Sequence, residues 1–220
     1  MPDKIDIKQV LVGPFQVFAY IVSCPKTREA VIIDPGGDEE RLSSLISDED
    51  LKVKYILNTH GHMDHVAANT ELKKMFDAPV CMHEADDDFF SKGDGKMSSE
   101  RELGLPAPEP ADIRLKHGDV LEVGEMKVKV IHTPGHTPGS VCFLVHGNLF
   151  TGDTLFVGAV GRTDLTGSSF EDLLKSIKEE IVTLPKDTKV WPGHDYGEMP
   201  SSTIAWEKDE NPYISDFILA

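Results

Sequence analysis

Two observations predict that this 220-residue chain is a layered α/β domain. Short apolar, β-branched runs alternate with stretches whose apolar residues recur at helical spacing. The alternation also comes twice: each half gives strands, then a strand ending in a histidine-bearing loop, then a helix. Strands and helices mixed on this scale fit packed layers around a shared core.

The elements follow in order. Residues 16–22 (QVFAYIV) and 30–33 (AVII) read as strands, the second closed by the turn Asp34-Pro35-Gly36-Gly37. From Asp38 a helix places Leu42, Leu45 and Ile46 on one face. Residues 53–57 form a strand that runs into Thr59-His60-Gly61-His62-Met63-Asp64-His65; a helix carrying Leu72, Met75 and Phe76 and a short strand at 79–82 come next. Residues 84–112, with an acidic cluster at Asp86, Asp87 and Asp88 and several Gly and Pro, read as an irregular insertion or lid, with Phe89, Phe90 and Met97 facing substrate or holding the lid down. Strands are expected at 120–123 and 126–131, then a hairpin of 141–145 and 148–150 turning at His146-Gly147. Ser169 through Asp172 resembles a capping box that opens a helix with Phe170, Leu173, Leu174, Ile177 and Ile181 on one face. A strand ends at Val190-Trp191, before Pro192-Gly193-His194.

Composition narrows the function. With 40% hydrophobic and 27% charged residues the chain is an ordinary globular sequence. Its 22 basic against 38 acidic residues give a net charge of -16, which argues against nucleic acid or an anionic membrane as partner, since both need a positive field. No run approaches the ~20 apolar residues of a membrane span. The opening MPDKIDIKQV lacks a signal-peptide apolar run, so a cytoplasmic location is expected. Cys24, Cys81 and Cys142 are too few and too scattered for a disulfide framework.

The chemistry concentrates in the histidines. His60-x-His62-x-Asp64-His65 offers four metal ligands within six residues. In an extended loop, positions i and i+2 project the same way, so His60 and His62 can grip one ion, while Asp64 and His65, turning into the following helix, point to a second position. Imidazole and carboxylate together suit zinc, iron or manganese. His136 lies between two Pro-Gly steps that stiffen its loop, as a preorganised ligand requires. His132 reads as a structural or supporting residue. Asp153 and His194 each follow a strand; alone they would be turn residues, and they gain weight because the other ligands need partners.

His60-x-His62-x-Asp64-His65, His136, Asp153 and His194, in that order, resemble the signature of the metallo-β-lactamase superfamily, and the resemblance runs from Ile33-Asp34-Pro35-Gly36 to His194. It implies a single domain over residues 1–220 of the α/β class: a four-layer αββα sandwich with mixed sheets inside, helices outside and a metal site at one edge. It also implies that His60, His62 and His136 hold a first metal, Asp64, His65 and His194 a second, and that Asp153 bridges them.

Within the superfamily, the main class of zinc β-lactamases carries cysteine where this chain has Asp153, and Cys142 reads as a buried apolar residue. The flavodiiron branch carries Glu in place of His62, and the nuclease branch is at odds with so acidic a chain. The blocks at 132–136 and 151–156 are most similar to the glyoxalase II group, which contains hydroxyacylglutathione hydrolase, a two-metal thioesterase, and persulfide dioxygenase, a mononuclear iron enzyme. The long thioesterase adds a C-terminal helical domain for glutathione; only 26 residues follow His194, and Gly161-Arg162-Thr163-Asp164 looks more like the dioxygenase and the compact bacterial proteins. The resemblance therefore implies a compact glyoxalase II-like hydrolase with two divalent transition metals, zinc first and iron or manganese as alternatives. Its substrate would be a small anionic, thiol-derived molecule such as a glutathione thioester, cleaved by metal-bound hydroxide that Asp64 orients. The alternatives are a persulfide dioxygenase with one iron on His60, His136 and Asp153, a lactonase-type hydrolase, and a non-catalytic metal-binding module. Arg162 is the candidate contact for an anionic group, against a plain salt bridge to Asp164; Tyr196 is a candidate pocket wall, and Trp191 is assigned to core packing.

Overall fold

β2 (Val17–Ser23) is buried along its whole length and β3 (Glu29–Ile33) everywhere but its first residue. A strand without a wet face needs a packing layer on each side. The computed structural model, which describes residues 5–92, 94–98 and 107–219, supplies both layers. β1 (Asp6–Val12), β2 and β3 form an antiparallel meander, and β4 (Lys52–Leu57), β5 (Val80–His83) and β6 (Ile113–Leu115) continue the sheet in parallel beside β3. The parallel crossovers run through helices: α1 (Glu39–Asp48), then α2 (Met63–Val66) with α3 (Asn69–Phe76), then α4 (Glu84–Lys92) with α5 (Asp94–Ser98).

The second sheet begins with the meander β7 (Val120–Val123), β8 (Met126–His132), β9 (Val141–Val145) and β10 (Asn148–Gly152). A small hairpin of β11 (Leu155–Phe156) and β12 (Ala159–Val160) follows. α6 (Phe170–Ser176) runs on into a π-helical turn at Ile177–Ile181 and leads to β13 (Lys189–Pro192), which lies parallel to β10, and to the edge strand β14 (Ser202–Thr203). α7 (Ile204–Glu210) and α8 (Pro212–Ser215) end the described chain.

Alternate residues of each strand face opposite ways, and the apolar clusters sort accordingly. Tyr20, Val31, Ile33 and Leu57 meet Val128, Val130, Val141, Phe143 and Phe150 between the sheets. Ile21, Ile32 and Ile56 face outward against Leu42, Ile46 and Leu72 of the first helical layer. Cys142, Leu149 and Val190 face outward against Leu173, Ile177, Ile181, Ile204 and Ile214 of the second. The result is the expected helix–sheet–sheet–helix sandwich. Because β3 runs parallel to β4, and β10 to β13, all four strands end at the same edge: Ile33 pairs with Leu57, and Gly152 with Pro192. Two contacts clamp the sheets together there, Phe18 N–H to Gly193 O at 2.8 Å and Tyr20 O–H to Pro192 O at 2.5 Å.

Several expectations need correction. The 84–112 segment is not simply irregular, since α4 and α5 occupy much of it; Gly93 and residues 99–106, and the side chain of Met97, lie outside what is described. Glu84, Asp86 and Asp87 sit in the first turn of α4, where the helix dipole favours negative charge, and Phe90 on the same helix is buried. Met75 and Phe170 are exposed on their helices. Ser169 does cap α6, its Oγ accepting from Asp172 N–H. Trp191 packs in the core, stacked on Phe150, as expected.

Phe143 is fully buried between the sheets, so Phe143→Ala should cost ~3–5 kcal/mol of unfolding free energy in denaturant titrations. His83 is buried and stacked on His132, ring centroids 4.0 Å apart. Burial and then the neighbouring His132 imidazole push its pKa down to about 4. The neutral form is thus favoured in the fold, and stability should drop as pH falls from 6.5 toward 4. His83→Gln should flatten that part of the stability–pH curve; an unchanged slope would contradict the assignment.

Candidate metal centre

Asp34, at the end of β3, adopts a positive φ of 49° and turns its buried carboxylate back toward β4. There it accepts Thr59 N–H at 2.7 Å on Oδ1, and Thr59 O–H at 2.6 Å on Oδ2. His65 Nδ1 lies 3.0 Å from the same Oδ2. Because Thr59 spends its hydroxyl proton on Asp34, its Oγ1 is the acceptor for His60 Nδ1–H at 3.1 Å. His136 Nδ1–H likewise donates to Arg162 O at 2.9 Å. His60 and His136 are thereby locked as the tautomers whose Nε2 lone pairs are free, and His65 turns its Nε2 the same way, the outer-layer arrangement that tunes metal-ligating histidines.

The free nitrogens converge. The rings of His60, His62 and His136 form a near-equilateral triangle, with centroids 4.8–4.9 Å apart, and His62 Nδ1 lies 3.0 Å from His136 Nε2. Beside it, His65 Nε2 lies 3.3 Å from His194 Nε2 and 3.8 Å from Asp64 Oδ2, with His194 Nε2 and Asp64 Oδ2 3.6 Å apart. Asp153 stands between the groups, Oδ1 3.3 Å from His65 Nε2 and Oδ2 3.6 Å from both His136 and His194. Two ligands ~2.1 Å from a tetrahedral ion sit ~3.4 Å from each other, so these separations suit ions held between the side chains. Three overlapping groups each bring their ligand atoms within 4.8 Å of one another among the described residues: His60 with His62 and His136, His60 with His65 and Asp153, and Asp64 with His65 and His194. His60 Nε2 is buried without a hydrogen-bond partner, a costly state for a polar atom that a cation would relieve.

The electrostatics agree. Burial, then the neighbouring imidazoles, hold His60 and His62 well below the usual histidine pKa, so both are neutral. Burial opposes charge on His65, yet the carboxylates of Asp153, Asp64 and Asp34 outweigh it and raise its pKa well above the usual value. Burial would raise Asp153, but His65, His194 and His136 hold it well below the ordinary carboxylate range. His60 and His62 are thus ready neutral donors, while His65 carries a proton among the carboxylates that a cation would have to displace. Gly193 makes room for the cluster: a Cβ there would lie 2.4 Å from Asp153 Oδ1.

All seven sequence-predicted ligands come together. The other candidates divide. Tyr196 stacks coplanar on His194 at 4.7 Å while remaining largely exposed. The Arg162 guanidinium pairs with Asp164 on the exposed rim. Phe90 packs edge-on against His62. His132 stays out of the centre, its Nε2 on Pro138 O, and Cys142 is buried with Thr133. Sequence reasoning missed the bracing roles of Asp34 and Thr59; an acid ending an apolar strand was the available signal for the first. Thr59→Val keeps the shape but leaves Asp34 and His60 each short of a partner, so it should cost ~1–3 kcal/mol of stability in the metal-free protein, read by denaturation.

Residues 12–194 match the family model described as the metallo-beta-lactamase superfamily. The hydroxyacylglutathione hydrolase GloC of Haemophilus influenzae is 35% identical over 86% of this chain and 88% of its own length. The solved structure of the BLEG-1 B3 metallo-beta-lactamase superposes with a TM-score of 0.86 at 38% identity, covering 96% of this chain and all of that one. The crystal structure of TTHA1623 in a di-iron-bound form gives 0.78 at 36% identity, over 94% and 99%. With the helix–sheet–sheet–helix layers and the edge cluster of five histidines and two aspartates, these matches place the chain in the metallo-beta-lactamase superfamily.

Proposed function

We propose that the centre holds two divalent transition-metal ions and that the protein hydrolyses a thioester of a small anionic thiol, in the manner of a compact glyoxalase II. The observation that carries the reading is the pair of donor triads, His60/His62/His136 and Asp64/His65/His194, with Asp153 offering one oxygen toward His65 and the other toward His136 and His194. The likeness to GloC supports the substrate class, and the likeness to di-iron TTHA1623 supports two ions. Divalent metal at such a site supplies Lewis acidity and acidifies water to a pKa of ~7.

The chain's own groups do the rest. Asp64, the more exposed of the two acids in the cluster, faces His65 and His194 from the rim, where it orients the attacking water and passes a proton outward. Tyr196 extends the coplanar face of His194 as a wall for the substrate. Arg162, beside the site at the rim, draws in an anionic group in competition with Asp164. A thiolate leaves readily, so no dedicated strong acid is needed. The second reading is a persulfide dioxygenase with one iron on His60, His136 and Asp153. It is favoured by the 4.8 Å ring separation of the two histidines and the 3.6 Å from His136 Nε2 to Asp153 Oδ2.

Thiol release from glutathione thioesters, with lactones and a β-lactam alongside, tests the reading on metal-replete protein. Asp64→Ala should lower kcat by ~100-fold or more. Arg162→Ala should raise KM by up to ~5-fold with kcat unchanged, the scale of an exposed charge contact. No hydrolysis of any thioester, with O₂ consumed on a persulfide instead, would transfer the assignment to the second reading.

A further inference from the structure

Asp86 is fully buried on α4, and no step proposed above uses it. Its carboxylate accepts three neutral donors. Gly61 N–H reaches Oδ2 at 2.8 Å, Thr137 O–H reaches Oδ2 at 2.8 Å, and Gly139 N–H reaches Oδ1 at 2.6 Å. Gly61 lies between His60 and His62, while Thr137 and Gly139 follow His136. One side chain therefore ties together the two loops that carry the His60/His62/His136 triad. The approach is close: a Cβ on Gly139 would lie 2.3 Å from Asp86 N, so glycine alone lets that loop reach the helix. The Thr137 hydroxyl is oriented in turn by Ser140, whose Oγ lies 2.7 Å from Thr137 Oγ1 and accepts Thr137 N–H at 3.0 Å. The other triad has a different brace, since His65 is held by Asp34.

We propose that Asp86 is a positioning residue for the His60/His62/His136 triad, needed for the ion held there and not for the ion at Asp64/His65/His194. The inference rests on the two-ion reading above. Three donors facing one carboxylate demand an acceptor at both oxygens. Asparagine has the same shape but turns a donor toward a donor, so one backbone N–H loses its partner whichever way the amide is flipped. A role in packing alone would tolerate asparagine; a bracing role does not.

The test is cobalt(II) titration of metal-free protein against a chromophoric chelator, for the unaltered chain, Asp86→Asn and the milder Thr137→Val. Melting curves of the metal-free variants check the fold, and Thr137→Val carries the comparison if Asp86→Asn does not fold. The unaltered chain should take two ions. Both variants should weaken one of them by ~10–100-fold, the usual effect of losing an outer-layer partner, and leave the other unchanged. In a His136→Ala background, which removes the triad, Asp86→Asn should have no further effect on the remaining ion. Unchanged affinities, equal weakening of both ions, or an effect that persists without His136 would overturn the role of Asp86 while leaving the two-ion reading intact. Failure of the unaltered chain to take two ions would overturn that reading itself.

Discussion

Five imidazoles and the carboxylates of Asp34 and Asp153 lie out of water at the edge of an apolar sandwich, and burying polar groups without partners is costly. The surrounding structure is arranged around that cost. Asp34 accepts from Thr59 twice and faces His65; Thr59 Oγ1 accepts from His60; Arg162 O accepts His136 Nδ1–H. These bonds satisfy the outer nitrogens of His60, His65 and His136. His60 Nε2 has no protein partner, so the cost is shifted onto a small volume where a cation would repay it. Aromatic rings pack edge-on against the site, Phe90 against His62 and Phe156 against His194.

The sandwich delivers these residues by topology more than by local conformation. Parallel pairing levels the ends of β3 and β4 in one sheet and of β10 and β13 in the other, and each of the four strands runs into a loop bearing a site residue. The antiparallel pair β8 and β9 holds the loop that carries His136, while the fully buried β2 serves as packing. Where the sheets meet, the backbone of Gly193 pairs with Phe18 on one side and Gly152 on the other, fixing His194 against residues from both halves of the chain. Thr59 O accepts Val141 N–H at 2.8 Å and joins β4 to β9 in the same way.

Much of this was legible in the sequence, for identifiable reasons. The strands of the core are rich in apolar and β-branched residues, so their positions stood out; the ligands stood out because four of them fall within six residues and the rest sit in loops that contain Gly or Pro. What stayed hidden depends on distant partners. The three partners of Asp86 lie 25, 51 and 53 residues away, so nothing local distinguishes it from Asp87 and Asp88. β1 is an edge strand, half exposed over most of its length, and carries no clear alternation. The chain after His194 reads as a tail, yet Ile204 and Ile214 pack onto the second sheet, and buried Glu207 is satisfied by Ser202, Asn211 and Gly158 N–H. Such packing outvotes local propensity.

The measurement closest to the central claim is elemental analysis of protein purified without chelator. About two zinc, iron or manganese ions per polypeptide is the result expected of a centre built from two triads sharing Asp153. Protein that holds no transition metal, even after incubation with excess zinc or iron, would contradict the account, and a single iron per chain would favour the mononuclear reading.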